Sequence, residues 1–147
     1  MDYEIDYTIF RNAESFSGTD LFEIGPGRYS GVHWQEGFIF VREEAFASAE
    51  RALYKYVDGY EHYDMNDIKK EIGLKVISAW RNVANALGSA ANPTDAADIL
   101  EIHESRRHRF EDEVFRDRNK IAAMLSELAD ECEAFYKSNE WICILGL

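Results

Sequence analysis

Trp141-Ile142-Cys143-Ile144-Leu145 is a run of five apolar residues. Such a run predicts a buried strand. A natural partner lies at the other end of the chain. Over residues 1–10, Tyr3, Ile5, Tyr7 and Ile9 alternate with Glu4, Asp6 and Thr8. Period two with β-branched and aromatic residues predicts a half-buried strand. Pairing these two segments would tie both termini into one sheet.

Working inward, residues 11–20 read as a loop and residues 21–24 as a short strand. Gly25-Pro26-Gly27 is a turn signal, because Pro fixes φ and Gly permits positive φ. Residues 32–34 and 38–41 read as further strands, with Gly37 as a turn or bulge between them.

The period then changes. Phe46, Ala49, Leu53, Tyr56 and Val57 recur at helical spacing, opposite Glu43, Glu44, Arg51 and Lys55. Asp58-Gly59 ends that helix. Asp64 or Asn66 is placed to cap the next, whose apolar face runs from Ile68 through Trp80 to Leu87. Gly88 stops it. Thr94, as N-cap, and Asp95 open another helix. Its apolar positions continue, past a polar run at 104–109, to Phe135. Unbroken from 95 to 137 it would be about 64 Å long, against a radius of gyration near 15 Å for a compact domain of this size. A break near 104–109 is therefore expected. The alternative is a protruding helix or a dimer coiled coil.

Strands, then helices, then a strand make an α+β fold. The expectation is one domain over residues 1–147, with a small, mainly antiparallel sheet covered by three to four helices. The sheet would combine the N-terminal strands with the C-terminal one.

Acid dominates the composition. The 147 residues hold 28 Asp and Glu against 16 Lys and Arg, for a formal charge of -12. Residues 1–66 carry 13 acids and 5 bases, and residues 67–100 carry 4 of each. This balance argues against nucleic-acid phosphates and anionic lipid heads as partners, and for a basic protein partner or for nothing more specific than solubility. Residues 1–4 lack the start of a signal peptide, and no apolar stretch is long enough to span a bilayer. Cys132 and Cys143 lie in apolar settings without CxxC spacing. They read as reduced core residues, and the chain as cytoplasmic.

The segment Asp58-Gly59-Tyr60-Glu61-His62-Tyr63-Asp64 concentrates acids, tyrosines and a histidine between two helices. Tyr offers large contact area at low entropic cost, and carboxylates complement Lys and Arg. Asp58, Tyr60, Glu61, His62, Tyr63 and Asp64 are the partner-binding candidates. The alternative is that the tyrosines pack beneath the loop and the acids face water.

Other constellations carry less. His103 and His108 are five apart and diverge around a helix, while Glu104 and His108 alone are too few for a metal site. His33 and Glu36 would lie on opposite faces of a strand, which argues against acid–base work. Glu127, Asp130, Glu131 and Glu133 could imitate a phosphate ladder, but read better as a solvated face. Arg106-Arg107-His108-Arg109 is flanked by acids and too short for a nucleic-acid patch. Gly25-Pro26-Gly27-Arg28 lacks a following helix to hold a phosphate. GxGxxG, Walker A, HExxH, GxSxG and paired CxxC motifs are missing. No catalytic residue, metal site or cofactor is expected, and the chain does not read as an enzyme.

In layout the chain resembles bacterial toxin-immunity proteins, including those of contact-dependent growth inhibition. The features shared are the acidic stretch from Met1 to Asp64, the Tyr60-Glu61-His62-Tyr63 loop and the helical remainder. The resemblance implies a protein, monomeric or homodimeric, that neutralises a basic toxin domain, foremost a nuclease. Two other readings stand beside it. One is a ligand-sensing or oligomerising structural module built on the long C-terminal helix. The other is a small hydrolase that uses His33, His62 or His103 with nearby carboxylates.

Overall fold

The computed structural model describes residues 4–11, 20–33 and 35–146. Along the chain run β1 (Ile9–Phe10), β2 (Leu21–Pro26), β3 (Ile39–Arg42), α1 (Glu43–Tyr56), β4 (Met65–Lys69), α2 (Lys70–Gly88), α3 (Pro93–Ile99), α4 (Glu104–Arg116), α5 (Arg118–Ser138) and β5 (Trp141–Gly146). The strands form one sheet in the order β1-β3-β2-β5-β4, antiparallel at every pairing. The fold is α+β.

The apolar run of β5 explains its place in the sheet. Successive side chains point to opposite faces, so a strand apolar throughout must be covered on both sides. Ile142 and Ile144 face the helices and join Phe22, Ile24, Val41, Phe46, Leu53, Trp80 and Leu128 in the main core. Cys143 and Leu145 face the other way and pack with Phe38, Phe40 and Tyr29. Both cysteines are free and buried. Burial raises their thiols, Cys132 to about 12 and Cys143 to about 11.

Residues 27–33 and 35–38 fold back over the helix-free face. Arg28 lies over the Trp141 ring at 5.0 Å, and the Tyr29 N–H donates to Asp67 Oδ1 at 2.8 Å. Gly25 sits directly under the Phe38 ring, where any Cβ would overlap it.

On the helical side α2 and α5 pack closely. The Tyr136 hydroxyl passes over Gly73 and donates to the Ile68 carbonyl at 2.9 Å. Trp80 is buried, and its indole N–H donates to the Ala49 carbonyl at 2.9 Å, fastening α2 to α1.

Several expected boundaries differ. The first strand is confined to Ile9–Phe10, and it pairs with β3 at the sheet edge, not with β5. Ile5 and Tyr7 still pack on the core, while Tyr3 lies outside the described residues. Val32 and His33 are not in a strand, and Trp34 lies outside the described residues. Most of the expected 11–20 loop does too.

Met65–Lys69, read as a cap and the start of a helix, is the edge strand β4. Asn66 and Ile68 are buried, while Met65 and Lys69 are exposed, and the charged Lys69 and Asp67 suit an edge. The N-cap of α2 is Lys69 and makes no side-chain cap bond. Asn66 braces the preceding loop instead, accepting from the Glu61 N–H at 3.0 Å and donating to the Glu61 carbonyl at 2.9 Å. The N-cap of α3 is Asn92, not Thr94. Its side chain accepts from the Asp95 N–H at 2.9 Å, with Pro93 in the first turn.

The long C-terminal helix breaks twice, on either side of the expected point. At the end of α3, Glu101 N–H bonds Asp98 O and Ile102 N–H bonds Ala97 O. This is a Schellman cap with Glu101 in the left-handed conformation, φ 54°. His103 then caps α4 by accepting from the Ser105 N–H. The second break is at buried Asp117, which holds Arg116 Nε at 3.1 Å and the Tyr7 hydroxyl at 3.2 Å.

Candidate functional site

The Asp58–Asp64 loop is laid along one stripe of α1. At about 100° per residue, positions 43, 50 and 54 of a helix share a face. Glu43, Glu50 and Tyr54 therefore line up beneath the loop, and the loop's side chains lock onto them.

His62 is the centre. Its Nδ1 lies 2.7 Å from Glu50 Oε2, and its Nε2 lies 2.8 Å from Glu43 Oε1. A neutral imidazole has one N–H, so donating to both carboxylates requires the imidazolium. Partial burial by itself pushes the His62 pKa down. The hydrogen bonds to Glu43 and Glu50 and their charges outweigh this, and the net shift is upward. Glu43 is lowered in turn, chiefly by its bond with His62. The edge of the imidazole packs on Phe22 at 5.1 Å between ring centres, which ties the cluster to β2.

The two loop tyrosines have different fates. Tyr60 is buried, and its hydroxyl donates to Glu50 Oε2 at 2.9 Å. Burial, and then the Glu50 charge, raise its phenol well above the usual range. Tyr63 is 72% exposed, stands edge-on against His62 at 4.3 Å, and donates to Glu43 Oε1 at 3.0 Å. Tyr54 is 55% exposed and stands edge-on against Tyr60 at 4.8 Å. Asp58, Glu61 and Asp64 are exposed around them, as is Met65. The loop closes on β5, where Gly146 N–H donates to the Asp64 carbonyl at 3.0 Å.

The arrangement is an ordered surface of aromatic and carboxylate groups. Glu43, Glu50 and Tyr54 were absent from the sequence-derived candidates. The helical spacing that puts them on one stripe is visible in the sequence, but their meeting with His62 depends on how the loop folds back.

The other candidates lie apart. His33 meets Glu23, not Glu36. Its Nδ1 is 3.1 Å from Glu23 Oε1 and its Nε2 is 3.1 Å from the Tyr29 hydroxyl. Glu23 is fully buried on the helix-free face. His103 is engaged with Ser105 and precedes α4, whereas Glu104 and His108 are exposed on that helix. The histidines do not converge. Among the described residues no group of three or more His, Cys, Asp and Glu is placed to hold a metal ion.

The acids of α5 are partly neutralised. Arg11 bridges Glu127 and Glu131, and Arg81 bridges Asp130 and Glu133. In the basic run, Arg106 and Arg109 stack on Phe110, while Arg107 pairs with Asp98. Among the described residues no helix is long and apolar enough to cross a membrane.

No protein-family model, curated protein or solved structure matches this chain.

Proposed function

We propose that this chain is an acidic binding protein whose α1–loop surface covers a basic protein partner, in concrete form an immunity protein that inhibits a nuclease toxin in the cytoplasm. The observation that carries the reading is Tyr63. A large aromatic side chain is 72% exposed, and it rests on an imidazole fixed between two carboxylates.

Exposed aromatics and Met within a charged rim have the composition of a protein-binding surface, with Tyr as a frequent anchor. The loop is already ordered by His62, Tyr60 and Asn66, so little conformational freedom remains to be lost on binding. Nucleases present positive sites to phosphate backbones. A chain with a charge of -12 would be drawn to such a site by long-range attraction.

The test is affinity capture with an N-terminal tag from the native host, at low and then moderate salt. The expected result is a stoichiometric basic protein that survives moderate salt, has nuclease activity, and is inhibited by the wild-type chain but far less by Tyr63→Ala. A captured partner that ignores Tyr63→Ala and Tyr54→Ala would overturn the placement of the surface. A captured partner without nuclease activity would overturn the toxin assignment.

A further inference from the structure

The opposite side of α1 carries a second feature. Between α1, α2 and the end of α3 lies a cleft of about 540 Å³. That size falls within the roughly 300–1,000 Å³ of small-molecule sites. Ala52 and Ala79, small residues on the facing helices, line it together with the half-buried Val83, Ile99 and Leu100.

The rim reverses the charge of the rest of the molecule. Arg51, Lys55 and Lys75 stand around the opening, against one carboxylate, that of Glu101. In a chain with 28 acids, Lys55 and Lys75 make no ion pair among the described residues. Lys55 instead lies over the Tyr56 ring at 5.4 Å. Arg51 holds Glu101 at 3.3 Å. Glu101 reaches it from a left-handed backbone, φ 54°, a conformation more often left to Gly. Among the described residues the one carboxylate at the rim, that of Glu101, is thus held in a strained position.

We infer that this cleft binds a small organic carboxylate with an apolar body. The body would lie against Val83, Ile99 and Leu100 and between the two alanines. The carboxylate would meet Lys55 and Lys75, whose ammonium groups make no ion pair among the described residues. A neutral molecule of the same shape would lose that contribution, and an inorganic anion would leave the apolar floor unused.

The probe is decanoate below its micellar concentration, with decanol as its uncharged counterpart. Binding is followed by calorimetry and by amide chemical shifts of the full chain. The expected result is one saturable decanoate site, with shifts centred on residues 51–56, 75–83 and 99–101. Decanol should bind at least tenfold more weakly. Lys55→Gln with Lys75→Gln, both exposed positions, should abolish that tenfold preference while far-UV circular dichroism stays native. Unsaturable decanoate binding, equal affinity for decanol, shifts centred elsewhere, or a preference that survives the double substitution would each overturn the assignment.

Discussion

Gly73 and Tyr136 occupy one space: a Cβ on Gly73 would overlap the hydroxyl oxygen and ring edge of Tyr136. Gly inside a helix ordinarily costs about 1 kcal/mol relative to Ala. Here the glycine lets α5 approach α2 closely enough for Tyr136 to reach the Ile68 carbonyl. Gly73→Ala should therefore destabilise the protein by about 2 kcal/mol, the range of an overpacked core. In a Tyr136→Leu background the same change should become stabilising by up to about 1 kcal/mol. Urea denaturation of the four proteins checks the change of sign.

His62→Ala takes the imidazole away from the buried Glu50, which keeps its bond from the Tyr60 hydroxyl, and should cost about 1–3 kcal/mol. The cost should depend on pH. The folded pKa of His62 is raised, so its contribution is full below about pH 6.5 and is lost as pH rises through the folded value. Glu43 is lowered, so its contribution is present above about pH 4.5 and is lost as pH falls through its folded value. The gap between wild type and variant should be widest between those limits and narrower at pH 9. A gap that stays constant from pH 5.5 to pH 9 would refute the imidazolium.

Tyr60 and Tyr63, three residues apart, should separate stability from binding. Tyr60→Ala opens a buried site beside Glu50 and should destabilise by about 3 kcal/mol or more. Tyr63→Ala should cost no more than about 1 kcal/mol, the loss of one exposed hydrogen bond to Glu43. It should weaken partner binding by about 1–4 kcal/mol. Thermal melts alongside calorimetric titration with the captured partner measure both.

At the end of α3, Glu101→Gly relieves the left-handed strain and should stabilise by about 0.5–1 kcal/mol, net of the added freedom of the unfolded chain. The Arg51 pair lost in the exchange is exposed on both sides and contributes little. A fall in melting temperature would show that the pair outweighs the backbone.

What could be read from residue order follows from how local each signal is. The strands at 21–24, 38–41 and 141–145 and the helices containing Phe46 and Trp80 announce themselves through period and composition. Met65-Asn66-Asp67-Ile68-Lys69 does not, because an edge strand has few apolar residues and Asn and Asp also serve as caps. The breaks at Glu101 and Asp117 use neither Gly nor Pro. One is made by a strained Glu, the other by contacts with distant Tyr7. The Glu43–His62–Glu50 cluster and the cleft on the other side of α1 are tertiary. Both arise from the way segments fold against that helix, and no local pattern marks either.

The position of β5 bears on how the molecule comes to be folded. It is hydrogen-bonded to β2 on one side, where Phe22 pairs with Gly146, and to β4 on the other, where Met65 pairs with Leu145. Until residues 141–146 arrive, β4 has no neighbour and β2 has an open flank. The sheet therefore closes through some of the longest loops this chain can form, and such closures slow folding. During synthesis the β2–β3 hairpin and the first helices emerge early, exposing an unpaired strand edge with a strongly apolar face. Residues 1–66 carry 13 acids against 5 bases, and repulsion between such like-charged segments opposes the pairing of half-finished chains through that edge.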